Sequence, residues 1–337
     1  MKPATEPPIV RDDRRLLHVR PGGGEIDEHA IADLVDRLDP GDVLVLNDAA
    51  TFPASLTGMG DDAAIEIRLV APTGPTTWRA VAFGAGSWRD RTEDRPAPPA
   101  LPIGRRLRFE RLVAEVVAVS PVSPRLVELR FDAEPGELWD AIYRVGRPVQ
   151  YAYLHRPLAL WSVQTSFGSR PWSAEMPSAG HPLSWRLLLS LRRRGIRLAA
   201  LTHAAGLSAT GDPELDRALP LAERYEIPVD TVEAVRAARA DGRRIVAVGT
   251  TVVRALESAA ASGELVAGAG ETELRIDASY RRRIVDGLLT GMHAPGESHY
   301  DLLAAFAPAH VLARASEVAD AAGFRAHEFG DLTLLLD

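Results

Sequence analysis

Residues 246 to 258 read Val246-Ala247-Val248-Gly249-Thr250-Thr251-Val252-Val253-Arg254-Ala255-Leu256-Glu257-Ser258. An apolar run that stops at a glycine and is followed by apolar residues at helical spacing indicates a strand, a tight turn and a helix. The same alternation recurs through the second half of the chain. It predicts an α/β domain whose sheet is at least partly parallel and carries packed helices.

The neighbouring patterns extend this prediction. Apolar residues at helical spacing predict helices over residues 182–194, 229–240, 250–261 and, interrupted at Pro308, 300–322. Short apolar runs predict strands over residues 42–46, 196–201, 244–248 and 332–336. The first of these strands lies far upstream of the others, yet it suits the same sheet.

A segment with a different spacing of apolar residues separates the two parts of that sheet in the sequence. From about residue 62 to residue 133 the apolar residues alternate in short runs, separated by Pro and Gly, with no helical period. Such runs are typical of a small antiparallel barrel or sandwich. We therefore predict a discontinuous main α/β domain, residues 1–56 and 151–337, with an inserted antiparallel β-barrel-like domain over residues 57–150.

Composition excludes several classes of protein. The 337 residues include 39 Lys and Arg against 46 Asp and Glu, a net charge of -7, which argues against a protein that coats nucleic acid non-specifically. The absence of cysteine excludes disulfides, thiol nucleophiles and zinc ribbons. Since no uncharged apolar run reaches the roughly 18 residues of a membrane span, we expect no membrane association and a cytoplasmic location. The sequence leaves the oligomeric state open, and a monomer is favoured.

Two strand ends carry candidate ligand-binding residues. Thr250 and Thr251 open the helix after Gly249, where free backbone N–H groups attract a carboxylate or phosphate; alternatively, one threonine simply caps the helix. Asn47 and Asp48 follow the strand at 42–46 and form either a turn or a binding pair. Further along the helix, Arg254 and Glu257 fit a surface ion pair or two site residues equally well.

Histidines and arginines complete the candidates. His181, His203 and His293 lie in loops beside Gly, Pro or small residues, where an imidazole can titrate near neutrality. None forms the i, i+4 pair of a helical zinc motif, so we expect no metal. The arginine clusters at 192–194 and 281–283 are expected to be solvated faces.

Five of these segments together resemble the S-adenosylmethionine:tRNA ribosyltransferase-isomerase family of queuosine biosynthesis. The resemblance covers about 320 residues, and its motifs occur in the family's order. They are Pro40-Gly41-Asp42-Val43-Leu44-Val45-Leu46-Asn47-Asp48 with Pro53-Ala54; Gln164-Thr165 with Pro177-Ser178-Ala179-Gly180; the segment Gly249 to Ser258; Val285-Asp286-Gly287-Leu288-Leu289-Thr290 with His293-Ala294-Pro295; and Phe329-Gly330-Asp331.

The resemblance implies an enzyme that uses S-adenosylmethionine as co-substrate, without metal, and tRNA as partner. It would transfer the ribosyl unit of S-adenosylmethionine to 7-aminomethyl-7-deazaguanine in the wobble position and isomerise it. His203 would act as base or acid, and Asp48 and Glu257 as ribose or amine partners. The implied substrate-binding residues are Asn47, Gln164, Thr165, Ser178, Gly180, Gly249, Thr250, Thr251, Arg254 and His293.

Several positions depart from the family's pattern. Ala49, Ala50 and Ser55 stand where the family has Thr, Arg and Arg, and His181-Pro182 replaces Leu-His. Glu297 lies where the family has a basic or hydroxyl-rich segment. Two alternatives therefore stay open: a diverged relative that uses S-adenosylmethionine or a nucleoside with a small-molecule acceptor, and a catalytically inert ligand- or RNA-binding protein.

Overall fold

The computed structural model describes residues 1–61 and 63–337, with the exception of the Ser298 side chain. The strands are β1 (Lys2–Pro3), β2 (Arg15–Arg20), β3 (Glu25–Ala30), β4 (Val43–Asn47), β5 (Ala49–Thr51), β6 (Ser55–Gly60), β7 (Ala63–Pro72), β8 (Thr77–Phe83), β9 (Arg106–Phe109), β10 (Leu112–Val119), β11 (Leu126–Phe131), β12 (Arg170–Ser173), β13 (Arg197–His203), β14 (Glu223–Ile227), β15 (Ile245–Val248), β16 (Gly268–Thr272), β17 (Gly287–Gly291), β18 (Arg325–Ala326) and β19 (Leu332–Leu335). The helices are α1 (Pro135–Val145), α2 (Trp185–Arg193), α3 (Pro213–Ala218), α4 (Val229–Ala240), α5 (Thr250–Ala259), α6 (Ser298–Leu303) and α7 (Ala309–Ala321).

The main sheet has nine strands in the order β16-β14-β13-β4-β15-β17-β19-β2-β3. Its centre is parallel, with Val43 of β4 in register with Arg197 of β13 on one side and Ile245 of β15 on the other. The flanking β14, β16, β19 and β3 each include an antiparallel pairing. Because the central strands are parallel, their carboxyl ends meet at one edge, where Asn47, His203 and Gly249 lie.

Both faces of this sheet are covered, which explains why β4 is apolar at every position up to Asn47. Val43 and Val45 pack into a core with α4 and α5, whereas Leu44 and Leu46 pack on the other side with α2. The alternation along β4 thus assigns each residue to one of two cores.

The barrel is closed by β6 to β11 in the order β10-β11-β8-β7-β6-β9, and its neighbouring pairs are antiparallel. A separate apolar core that includes Trp78, Phe83 and Phe109 fills it. Helix α1 packs Leu138 and Ile142 against the same core. The predicted fold class, a mixed α/β chain with an antiparallel β-barrel, is confirmed. The domain limits at residues 57 and 150 stay a prediction; the barrel strands themselves begin at Ser55 and end at Phe131.

Two helical regions differ from their predicted limits, and neighbouring residues explain both differences. The helix predicted from residue 182 begins at Trp185, because the Ser184 hydroxyl accepts the N–H of Leu187 at 3.2 Å and caps it. The helical region predicted over 300–322 is two helices, since Pro308 lies at the N-cap of α7. In the described part of the chain no helix is long and apolar enough to cross a membrane.

Candidate active site

Asn47 ties together three elements at the carboxyl edge of the sheet. Its Oδ1 accepts the backbone N–H of His203 at 2.9 Å and that of Ala49 at 3.1 Å. Its Nδ2 donates to the His203 carbonyl oxygen at 2.9 Å and to the Thr251 hydroxyl at 3.2 Å. The buried amide therefore fixes the ends of β4 and β13 against the first turn of α5.

Asp48 presents a carboxylate at the same edge. Its Oδ1 accepts the Thr202 hydroxyl at 2.5 Å and its Oδ2 the Ser169 hydroxyl at 2.9 Å. The side chain is half-buried, and each oxygen has capacity for another donor. Unlike Asn47, Asp48 is thus held in place and still able to accept hydrogen bonds from a ligand.

Helix α5 begins without a side-chain cap. Its N-cap is Gly249 at φ 91° and ψ 154°, a backbone conformation that is essentially restricted to glycine. In the part of the chain that the structure describes, no side chain hydrogen-bonds to the cap, so the alternative in which Thr250 or Thr251 caps the helix is not what the structure shows. The first-turn N–H groups and the positive end of the helix dipole are therefore available to an anion.

The segment after residue 163 lies against β5. Gln164 accepts the Thr51 N–H at 3.0 Å and donates to the Thr51 carbonyl at 2.7 Å, as an added strand would. Thr165 is buried, and among the described residues its hydroxyl has no hydrogen-bond partner. A buried hydroxyl without a partner costs free energy, so Thr165 is a candidate contact for a ligand.

The turn at Ser178–Gly180 lies beside the start of α5. A Cβ added to Gly180 would lie 2.8 Å from the Phe167 ring and 3.3 Å from Thr165, so a larger residue there would require the Phe167 ring to move. Ala179 lies 3.5 Å from the place a Cβ would take on Gly249, which brings this turn to the start of α5. Ser178 begins the turn and is half-buried.

These contacts bring six of the thirteen predicted site residues to one place. Around the start of α5 the structure gathers Asn47, Asp48, Thr165, Gly180, Gly249 and Thr251, joined through Ser169, Thr202 and Ala179. Sequence reasoning missed Ser169 and Thr202, because hydroxyl partners of a carboxylate on other strands leave no local pattern.

His203 lies behind this edge, next to a buried ion pair. Its side chain is completely buried, neither ring nitrogen has a hydrogen-bond partner among the described residues, and Nε2 lies 3.6 Å from a Glu223 oxygen. Burial, reinforced by the Arg254 charge, holds the pKa of His203 well below its ordinary value. The imidazole is therefore neutral at physiological pH, and its surroundings disfavour the protonated form.

Arg254 is committed to protein partners. Its Nη1 donates to Glu223, its Nε to the Leu274 carbonyl at 2.9 Å and its Nη2 to the Thr272 carbonyl at 3.3 Å. Burial raises the pKa of Glu223, and the Arg254 charge opposes that rise. The structure thus places this arginine in a buried network that supports His203, and its predicted contact with a substrate stays a prediction.

Glu257 is also enclosed, and it does not pair with Arg254. Its carboxylate accepts the backbone N–H groups of Arg283 at 2.8 Å, Ile284 at 3.0 Å and Val285 at 3.0 Å. These bonds fix the segment that leads into β17. The observed contacts are those of a structural anchor, and nothing in them tests the predicted catalytic role.

His293 lies in the loop after β17, stacked on His299 with ring centroids 5.1 Å apart. The Thr290 hydroxyl is 2.9 Å from its Nε2. Burial lowers the pKa of His299 to about 4. Glu297, which stands where the family has a basic or hydroxyl-rich segment, accepts the N–H of Ala294 at 3.1 Å and lies 3.7 Å from His293 Nδ1, so its charge is engaged within its own loop.

His181 is a buried residue of the core rather than a loop titrating group. It packs edge-on against Phe329 with ring centroids 5.4 Å apart, and burial lowers its pKa to about 3. The expectation that this imidazole titrates near neutrality is therefore wrong, because the ring is buried against Phe329.

Comparison with known proteins places this site in a family. The family described as "Queuosine biosynthesis protein" matches residues 2–335. The chain belongs to this family. Two relatives, both named S-adenosylmethionine:tRNA ribosyltransferase-isomerase, come from Acidiphilium cryptum, 36% identical over 98% of this chain and 95% of the relative, and from Thermus thermophilus, 38% identical over 97% and 93%.

A solved structure agrees with this membership of the queuosine biosynthesis family. The crystal structure of the S-adenosylmethionine tRNA ribosyltransferase from Thermotoga maritima is similar with a TM-score of 0.55 and 26% sequence identity, over 99% of this chain and 96% of that one. The family predicted from the five motifs is thus confirmed, and the relatives carry the transferase and isomerase name that the motifs predicted.

Proposed function

We propose that this protein is an S-adenosylmethionine:tRNA ribosyltransferase-isomerase of the queuosine pathway. Its co-substrate would be S-adenosylmethionine, and its acceptor the aminomethyl group of 7-aminomethyl-7-deazaguanine in the tRNA wobble position. The observation that carries the proposal is the placement of the Asp48 carboxylate and the uncapped start of α5 at one sheet edge, joined by Asn47 and Thr251.

The two ends of this edge suit the two polar ends of the donor. The free N–H groups after Gly249 fit the methionine carboxylate, since helix N-termini bind anions. The Asp48 carboxylate fits a ribose hydroxyl or the acceptor amine, because each of its oxygens can accept one more donor. The Thr165 hydroxyl, which has no partner among the described residues, supplies a further hydrogen bond.

The reaction also needs proton transfers: removal of the acidic hydrogen beside the sulfonium, and protonation of the departing adenine. His203 is the proposed base, because its imidazole is neutral and its Nε2 lies 3.6 Å from a Glu223 oxygen that would offset a positive charge on the ring. Burial and the Arg254 charge disfavour the protonated ring, so proton transfer to His203 requires that the residues covering it move and admit the substrate.

The test is mass spectrometry of purified protein incubated with S-adenosylmethionine and a tRNA that carries 7-aminomethyl-7-deazaguanine. We expect the epoxycyclopentanediol product in the tRNA, with release of adenine and methionine. Asp48→Asn should reduce turnover by about 100-fold, the size of one lost interaction with a developing charge. Asp36→Asn, a change at an exposed carboxylate, should not reduce it.

Two other results would contradict this function. Release of adenine and methionine without gain of mass on the tRNA would indicate a small-molecule acceptor. Binding of S-adenosylmethionine without turnover, under conditions in which a relative from Thermus thermophilus is active, would indicate a protein that only binds its ligand.

A further inference from the structure

Two guanidinium groups lie on one indole ring beside the candidate site. The Arg224 Cζ lies 3.9 Å from the Trp172 ring centroid and the Arg170 Cζ 4.6 Å from it. All three side chains are partly exposed. Stacking holds both cations in fixed planes, which reduces the conformational entropy that they lose on binding a partner.

This group is directly connected to Asp48. Arg170 on β12 pairs with Ala49, the residue after Asp48, in the parallel register of β12 and β5. Its Nη2 and Nε donate to the Thr202 hydroxyl at 2.6 and 3.1 Å, and the same hydroxyl bonds to Asp48. A molecule bound to the two arginines therefore extends to the candidate active site at Asp48.

The charges there are not balanced. Glu226 accepts one hydrogen bond from Arg170 at 2.6 Å. The buried Nε of Arg224 has no partner among the residues that the structure describes. Burial lowers the pKa of Arg224, and the nearby Arg170 charge adds to this effect. Within the described part of the chain, only Glu226 pairs directly with either arginine, and Arg224 keeps its charge available to an anion, on a chain whose net charge is -7.

An open aromatic cleft adjoins the two arginines in the chain through Pro171, which lies between Arg170 and Trp172. It is lined by Trp139, Asp140, Tyr143, Arg144 and Pro171, and Tyr143 is 46% exposed. Trp139 packs edge-on against Trp78 with ring centroids 5.4 Å apart, so the aromatic floor is anchored in the barrel core. Exposed rings alternating with guanidinium groups are the chemistry that binds unpaired bases and their phosphates.

We propose that Arg170, Trp172 and Arg224, with the adjoining cleft at Tyr143 and Arg144, form an RNA-binding face. It holds the unpaired nucleotides that flank the reacting nucleotide. The arginines bind phosphates and Tyr143 stacks on a base. This inference rests on the proposed function, because the face leads to the same Asp48 carboxylate.

The experiment measures binding of a fluorescein-labelled anticodon stem–loop RNA by anisotropy at several salt concentrations. We expect Arg170→Gln/Arg224→Gln to bind about tenfold more weakly or worse, and the slope of log affinity against log salt to become shallower by about 0.7 for each lost phosphate contact. Arg224→Lys should keep most of the slope. Tyr143→Leu should weaken binding without changing the slope, because it removes stacking and no charge.

Arg192→Gln/Arg193→Gln is the matched control, since it removes two exposed arginines from the end of α2. Wild-type affinity and slope in the Arg170/Arg224 variant, or no RNA binding by the wild-type protein, would overturn the proposal. Calorimetry with S-adenosylmethionine separates the RNA-binding face from the proposed enzymatic function. Loss of RNA binding by Arg224→Gln with unchanged S-adenosylmethionine affinity supports the RNA-binding face. Absence of ribosyl transfer by the wild-type protein would count against the proposed function alone.

Discussion

The Asn47 side chain exchanges two hydrogen bonds with the backbone of His203, accepting its N–H and donating to its carbonyl, both at 2.9 Å. The Asn47 side-chain amide thus takes the place of the next backbone hydrogen bonds between the parallel strands β4 and β13. The last residue pair of the two strands is Leu201 opposite Asn47, and beyond it the strands would otherwise separate. This arrangement positions Asp48 and His203 on neighbouring strand ends.

Replacing Asn47 should therefore destabilise the fold as well as the site. Asn47→Ala leaves the buried N–H groups of His203 and Ala49 without their acceptor, and we expect a loss of roughly 2–4 kcal/mol in the free energy of unfolding. Thr251→Ala, which removes only the 3.2 Å bond, should cost less than about 1 kcal/mol.

Urea unfolding followed by circular dichroism measures these differences. Asn47 is the only asparagine in the chain, so selective ¹⁵N-asparagine labelling gives one side-chain amide whose exchange with solvent reports on these bonds. An Asn47→Ala protein as stable as wild type, or an amide in fast exchange, would contradict this structural role.

Gly249 offers a test of the α5 anion site. Gly249→Ala should cost about 1–3 kcal/mol through its positive φ, since the added methyl meets Ala179 only at an ordinary 3.5 Å. Because the distorted cap moves the first-turn N–H groups, S-adenosylmethionine affinity should also fall. Gly263→Ala is the matched control: its φ is 110° and nothing lies within 4 Å of the added atom. Calorimetry showing equal affinity loss in both variants would remove α5 from the binding site.

The buried pair of Arg254 and Glu223 makes a different prediction. Arg254→Met leaves Glu223 buried without its cation, and we expect a loss of about 3–5 kcal/mol in the free energy of unfolding. Arg254→Met/Glu223→Gln should recover a large part of it. The exposed pair of Arg217 and Glu214 is the control, where the same changes should cost about 1 kcal/mol or less.

A double-mutant cycle from denaturant unfolding measures this coupling. An Arg254→Met protein with wild-type stability that no longer binds S-adenosylmethionine would show that the arginine contacts the substrate, as its motif predicts. Loss of stability with retained affinity would place it in the supporting network.

The sequence predicted the elements that depend on local pattern. The helix at 229–240 was found at its predicted limits, and strands β7 to β11 lie within the alternating region from about 62 to 133, because alternation and helical spacing are read from neighbouring residues. Helix α1 was not predicted, although Pro135 and the spacing of Leu138 and Ile142 are a sufficient signal.

The partners of site residues could not be predicted in the same way. Arg254 and Glu257 share a helix, and their spacing leaves an ion pair open, yet one binds Glu223 and the other a backbone segment near residue 284. These contacts connect positions about 30 residues apart through the packing of α5 against β14 and the chain before β17. Only the three-dimensional arrangement determines them.

His181 gives a pH dependence whose sign follows from its burial. The unfolded imidazole binds a proton near pH 6.5, whereas burial lowers the pKa in the folded protein to about 3. Between these values the unfolded state holds more protons, so stability is lost as the pH falls. From pH 6.5 to pH 5 the wild-type protein should lose about 2 kcal/mol relative to His181→Gln, which lacks this group.

Glu328, whose pKa burial raises to about 7, changes the stability in the opposite direction, but its effect is the same in both proteins and cancels in the comparison. Urea unfolding at several pH values measures the difference, with His310→Gln, an exposed histidine, expected to follow the wild-type profile. Parallel profiles for wild type and His181→Gln would show that His181 is hydrated in the folded protein and not buried against Phe329.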